Sequence, residues 1–259
     1  MRYSINIYLS AVMLILISCT SYGQDDARAI YIRATDQLLS ENMELLLEVD
    51  ITDKKGRVKG KSFEVLVAKF GDTEKTKMIW QKPEAAKGTT VIFTEIPGKT
   101  GLIEVFTPSN GKIRKLKATQ ENMNLVGSEA KITSMTSRDP DELIFKLLGE
   151  EVVGGITCYN IEVKARENTD ASRGVLTVES DTYRIVHITV FDKSGEKTSI
   201  VELSDYMPVD GYEHKFQPMR IQTEDFKNKK HTDMRVLKIA SRADLRKEDF
   251  QLPDEESVD

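Results

Sequence analysis

The feature that most constrains this chain is a two-residue hydrophobic period that recurs along most of its 259 residues. Leu45, Leu47, Val49 and Ile51 alternate with Glu44, Glu48 and Asp50, Leu46 being the exception. Successive side chains of a strand point to opposite faces, so this spacing predicts a half-buried strand. The turn Asp53-Lys54-Lys55-Gly56 follows, and Phe63, Val65 and Val67 then alternate with Ser62 and Glu64. Together these segments predict a hairpin in which glycine supplies the positive φ of the turn. The same grammar returns near 76–81, 89–95, 101–107, 112–117, 143–149, 156–165, 174–179, 184–192, 197–206, 212–224 and 231–240. Ser109-Asn110-Gly111, Asp192-Lys193-Ser194-Gly195 and Asn228-Lys229-Lys230 supply further turns. Many short strands at close spacing predict an antiparallel barrel or sandwich.

Two stretches depart from this period. Asp25 and Asp26 precede Ala27, Ile30, Ala34 and Leu38, whose spacing predicts one amphipathic helix over about 26–40, with aspartates suited to its N-terminus. Residues 118–142 are the least strand-like and are expected to form a loop with a short helix, a flap over the strands. A polar loop is expected at 166–173. No repeat, low-complexity linker or break in composition divides the chain.

Residues 1–23 carry one charge, Arg2, before an apolar run from Ala11 to Ile17 and then small and polar residues. That order predicts a secretory signal peptide. The run is shorter than the about 20 apolar residues a permanent span needs. Ser21-Tyr22-Gly23 before Gln24 fits a signal peptidase site. Leu16-Ile17-Ser18-Cys19 fits a bacterial lipobox, in which Cys19 would be lipidated. Both readings export the protein, to the periplasm or to an outer-membrane anchor. The expected domains are therefore 1–23 as signal, 24–252 as one β domain, and 253–259 as an acidic tail.

The chemistry of many enzyme classes is missing. His187, His214 and His231 fall in separate strand-like segments, and the chain has two cysteines. There is no His-Glu-x-x-His, Cys-x-x-Cys, Gly-x-Ser-x-Gly or phosphate-binding glycine pattern. No metal site, no cofactor and no catalysis are expected. Cys158 is expected to be a buried small residue in a strand. The 37 basic and 42 acidic side chains leave a net charge of −5, which argues against nucleic acid as a partner. Lys112-Ile113-Arg114-Lys115-Leu116-Lys117 is basic but alternates, so it reads as a solvated strand; contact with anionic lipid or an acidic partner is the other reading.

The order of local motifs carries a resemblance. Trp80-Gln81-Lys82-Pro83 and Lys87-Gly88 lead to Ile103-Glu104-Val105-Phe106-Thr107-Pro108 and Gly111-Lys112-Ile113-Arg114-Lys115. Then come Asn124-Leu125-Val126-Gly127-Ser128-Glu129, Leu147-Leu148-Gly149-Glu150-Glu151 and Gly155-Ile156-Thr157-Cys158-Tyr159. Val190-Phe191-Asp192-Lys193-Ser194-Gly195 and Tyr206-Met207-Pro208-Val209-Asp210-Gly211-Tyr212 end the series. Over about 26–252 this resembles the outer membrane lipoprotein-sorting protein family, the LolA-like group of the LolA/LolB superfamily. It departs from the family pattern at Leu125 and Glu129, and at Glu104 and Phe106.

The resemblance implies a mainly β fold, an incomplete curved antiparallel β-barrel of about 11–12 strands with an α-helical lid and an apolar cavity between them. It implies a non-catalytic binding or carrier protein for lipids or lipoprotein acyl chains. An inner-membrane exporter or an outer-membrane partner would stand beside it. The alternative is an envelope sensor, or a docking module for a lipid exporter, without ligand transport. The alternation supplies candidate lining residues: Leu45, Leu47, Val49, Phe63, Val65, Val67, Trp80, Phe93 and Phe106. Val105 and Phe106 are adjacent, so at most one of them faces the cavity.

Overall fold

The computed structural model describes residues 22–38, 41–96, 98–118, 140–166 and 173–253, with side chains from residue 26 onward. Cys19 and the apolar run before it, the segment Asn124–Glu129, most of the 118–142 flap, the 167–172 part of the polar loop and residues 254–259 of the acidic tail lie outside these residues.

Helix α1 spans Tyr22–Asp36. The strands are β1 (Met43–Thr52), β2 (Val58–Phe70), β3 (Thr73–Lys82), β4 (Thr90–Glu95), β5 (Leu102–Thr107) and β6 (Lys112–Lys117). They continue as β7 (Leu143–Val153), β8 (Ile156–Ala165), β9 (Arg173–Glu179), β10 (Ile185–Phe191), β11 (Lys197–Pro208), β12 (Phe216–Asp225) and β13 (Lys230–Ser241). Every alternating run is a strand, and the thirteen exceed the count of 11–12 expected for the barrel. The helix sits a turn earlier than its apolar spacing suggested, starting at Tyr22 and ending at Asp36.

All pairings between these strands are antiparallel, in the order β6-β5-β4-β3-β2-β1-β13-β12-β11-β10-β9-β8-β7. The chain starts in the middle, walks outward to β6, crosses to the opposite edge at β7, and walks back until β13 pairs with β1. Among the described residues the two edge strands do not pair with each other, and the sheet is curved and unclosed. Register shifts at Leu46/Leu47, Ser62/Phe63, Leu147/Gly149, Ile185/His187 and Val190/Phe191 mark bulges. Each bulge adds local bend and twist, which is how a wide sheet curls onto one face.

That face is apolar from β5 through the middle of the sheet to β7, with charged Lys69, Glu74 and Glu95 at the far end of β2–β4. Cross-strand rows such as Leu45–Val65–Met78–Val91 and Val49–Met234–Ile221–Leu203 keep one parity and are buried. They form a single cluster with Ala27, Ile30, Tyr31 and Ala34 of α1. The opposite face carries ion pairs, including Glu104 with Lys115 at 2.8 Å, Asp233 with Arg220 at 3.0 Å and Asp50 with Arg235 at 2.8 Å. Gly101, at the entry to β5, is the residue this register requires. A Cβ there would meet the Thr94 carbonyl oxygen at 2.9 Å.

Candidate functional site: a helix-capped apolar face

The helix supplies one wall. Ala27, Ile30, Tyr31 and Ala34 recur at three- and four-residue steps, so one stripe of α1 meets the sheet and the rest meets solvent. Its footing is β7, where the Tyr31 ring lies 5.0 Å from that of Phe145 at a 47° tilt. The C-terminal end is tied down by polar contacts. Lys215 Nζ donates to the Asp36 carbonyl and, at 3.4 Å, to that of Leu38. The Phe216 N–H donates to the Gln37 carbonyl at 2.7 Å, and Gln37 Nε2 donates to the Thr182 carbonyl at 2.8 Å. The Lys215 and Phe216 bonds satisfy carbonyls that a helix end leaves without intrahelical partners, and the lysine charge suits the negative end of the dipole. Nearer the N-terminus, Arg28 reaches Asp141 at 2.5 Å, a pair open to solvent and so of small energetic weight.

Beside this footing a cleft of about 270 Å³ opens between helix and sheet. Asp26, Ala29, Ile30 and Arg33 line it from α1; Leu147, Tyr159 and Tyr183 line it from β7, β8 and the β9–β10 turn. The Arg33 guanidinium lies 5.1 Å above the Tyr183 ring and donates to its hydroxyl at 2.7 Å. Tyr183 is presented by a turn in which its own φ is +58° and its N–H donates to the Glu179 carbonyl at 3.1 Å. Ala29, Ile30 and Leu147 share the lining of this open cleft with Asp26, Arg33 and two tyrosines, and its volume lies below the about 300 Å³ at which small-ligand sites begin.

The sequence-derived lining residues divide by strand parity. Leu45, Leu47, Val49, Phe63, Val65, Val67 and Phe93 lie together in the buried cluster on the concave face. Trp80 packs against that cluster, its ring edge-on to Phe63 at 4.8 Å between centroids. Phe106 does not share this face. It pairs with Thr90 and stands on the convex side with the parity of Glu104 and Ile92, while Val105 packs on the concave cluster. Phe106 is nonetheless buried, as are Ile92 and Ala68 of the same convex parity. On that face the segment after β13 lays Phe250 against Phe70, 5.6 Å between ring centroids, and Lys77 Nζ donates to the Asp249 carbonyl at 2.8 Å. Burial there lowers the Lys77 pKa from its ordinary value.

The cleft residues themselves were not singled out from the sequence. Leu147 and Tyr159 had the right parity and could have been found by extending the alternation to β7 and β8. Arg33 and Tyr183 carried no signal, because one is a polar residue on a helix flank and the other sits in a turn.

Two further groups of polar or reactive side chains lie among the described residues. His187 Nε2 lies 2.9 Å from Thr177 Oγ1, which donates to Asn160 Oδ1 at 2.6 Å, a polar row across the convex face. Cys158 is free and buried, and burial pushes its thiol pKa up, away from the reactive thiolate. Among the described residues no group of His, Cys, Asp or Glu is placed to hold a metal ion, and no helix is long and apolar enough to cross a membrane.

Residues 72–253 match a family model described as "Uncharacterized protein", well over half of the chain. The chain belongs to that family. Among curated proteins no relative matches. A DUF1329 family protein from Desulfovibrio piger superposes with a TM-score of 0.75 at 19% identity, over 88% of this chain and 97% of that one. A domain from Vibrio parahaemolyticus, named for outer membrane lipoprotein sorting, gives 0.73 at 14% identity over 88% and 97%. A LolA superfamily protein from Nitrosomonas europaea gives 0.64 at 17% identity over 87% and 97%. The fold of this family member is LolA-like, as the series of sequence motifs implied.

Proposed function

We propose that the protein is a non-catalytic carrier or receptor for lipids or lipoprotein acyl chains, exported across the inner membrane. The observation that carries this reading is the apolar cluster that runs along the concave face from β5 through the middle of the sheet to β7 and is capped by a helix footed chiefly on β7. A sheet packed solid for stability alone does not require a helix so narrowly footed beside an open cleft. Acyl chains cost about 0.8 kcal/mol per methylene to hold in water, so a carrier needs a dry concave surface and a cover that moves. The likeness to a domain named for lipoprotein sorting fits this role at the level of fold. Export rests on the signal-like residues 1–23, and anchoring at the outer membrane rests on lipidation of Cys19.

The test is extraction. Protein purified from cells is extracted with organic solvent and analysed by mass spectrometry. Near-stoichiometric acyl lipid is expected. Clean protein that also fails to displace an apolar fluorescent probe on addition of acyl chains overturns the reading, and leaves a protein-docking module in its place. Labelled palmitate on the wild type, absent from Cys19→Ala, is the expected mark of the anchored form.

A further inference from the structure

We propose that strand β6 is a docking edge for an anionic bilayer surface. β6 is the outermost strand on one side of the unclosed sheet, hydrogen-bonded to β5 alone among the described strands. Lys112, Arg114, Lys115 and Lys117 are all exposed, and no acidic residue interrupts the strand. The chain as a whole carries a net charge of −5, so this edge is opposite in sign to the chain's net charge. Lys115 is tied to Glu104 at 2.8 Å, whereas Lys112 and Arg114 have no ion-pair partner among the described residues. Strand alternation puts Lys112 and Arg114 on the concave side with Leu116, and Lys115 and Lys117 on the convex side with Ile113. A strand with cations on both sides presents all of them when the sheet stands edge-on to a surface. Half-buried Ile113 and Leu116, and exposed Leu102 on β5, supply apolar contact between the charges.

Charges on an edge strand also guard against unwanted strand pairing. That role accepts either sign, and the opposite edge uses both, with Lys146, Glu150 and Glu151 on β7. The basic turn at Lys227, Lys229 and Lys230 differs again, because Glu224 and Asp225 precede it. The single sign on β6 is therefore what selects an anionic surface. The docking does not depend on what the concave face holds.

The test uses the Cys19→Ala protein, so that no acyl anchor contributes, and co-sedimentation with vesicles of phosphatidylcholine alone or mixed with phosphatidylglycerol. Binding is expected only to the anionic vesicles, and it should weaken as salt is raised. Each cation at such a surface is worth on the order of fivefold in partitioning, so Lys112→Gln/Arg114→Gln should lose roughly thirtyfold and Arg114→Gln alone about fivefold. The control Lys227→Gln/Lys229→Gln/Lys230→Gln should keep wild-type binding. Circular dichroism and an unchanged melting temperature confirm that the variants are folded. No binding to anionic vesicles, equal binding to both vesicle types, an equal loss in the control, or self-association of the chain that β6 substitution abolishes would each overturn the proposal.

Discussion

The Tyr31 ring of the helix rests 5.0 Å from the Phe145 ring of β7, and Tyr31 is fully buried. This contact joins the cover to the sheet at the centre of the helix footing, with the tilted geometry that aromatic pairs favour. Tyr31→Ala removes the largest side chain that α1 buries. Truncation of a buried aromatic costs about 3–5 kcal/mol where the site cannot collapse. A lower melting temperature is expected. If α1 is a cover, the loss should also be local, with amide exchange rising more over residues 22–36 than over β1. Uniform acceleration across helix and sheet would show instead that α1 is part of the global core.

Phe93 and Phe106 are a matched pair on opposite faces of adjacent strands, both buried. Phe93→Ala and Phe106→Ala are each expected to destabilise by about 3–5 kcal/mol through the cavity left behind. Only Phe93→Ala should change the affinity for an acyl probe, because only Phe93 stands on the concave face. Displacement titrations on both variants check this. An equal shift in affinity would mean that the probe reads general stability and not the lining.

The strands were legible because their parity is written in the sequence. Leu45, Leu47 and Val49 alternate with charged neighbours, and a one-residue slip would expose the whole set. That period alone points to about a dozen strands, and thirteen form. Their order did not follow from it, since nothing in the local pattern says that β13 returns to β1 or that the sheet stays open between β6 and β7. Phe106 shows the limit of hydrophobicity as a guide to function. Phe106 is buried although it stands on the convex face, as are Ile92 and Ala68, so both sides of this part of the sheet are buried. Two faces buried means two apolar parities, and adjacency of Val105 and Phe106 then cannot say which is which. Arg33 and Tyr183 were illegible for a different reason. Their meeting depends on a helix crossing a turn that lies 150 residues away in the chain.

Lys215 is a candidate latch. Its ammonium group caps the carbonyls of Asp36 and Leu38 at the C-terminal end of α1. Lys215→Met keeps most of the aliphatic stem and removes the donors. Loss of a hydrogen bond from a charged group costs about 1.5–3 kcal/mol, and here it falls on the helix end and not on the sheet. Faster uptake of an apolar probe in stopped-flow mixing is expected, with the melting temperature lowered only modestly. Uptake at the wild-type rate would assign the gating motion to another part of the protein.

Glu74 makes the sheet sensitive to pH in a defined direction. It lies between Lys69 on β2 and Glu95 on β4 in the strand register. Burial raises its pKa above the ordinary 4.5, the nearby Glu95 and Glu41 carboxylates add to the rise, and Lys69 opposes it. A carboxyl group with a raised folded pKa binds its proton more tightly in the native state than in the unfolded chain. Its contribution therefore favours folding below the unfolded value and declines as pH climbs through the window between the unfolded and folded values. At neutral pH the full penalty is present. Glu74→Gln removes it, so the variant should be more stable than wild type at pH 7, with the gain vanishing as pH falls below the ordinary glutamate range. Urea unfolding midpoints at neutral and acidic pH measure this. A variant less stable than wild type at pH 7 would show that the attraction of Lys69 outweighs both desolvation and Glu95, reversing the sign of the shift.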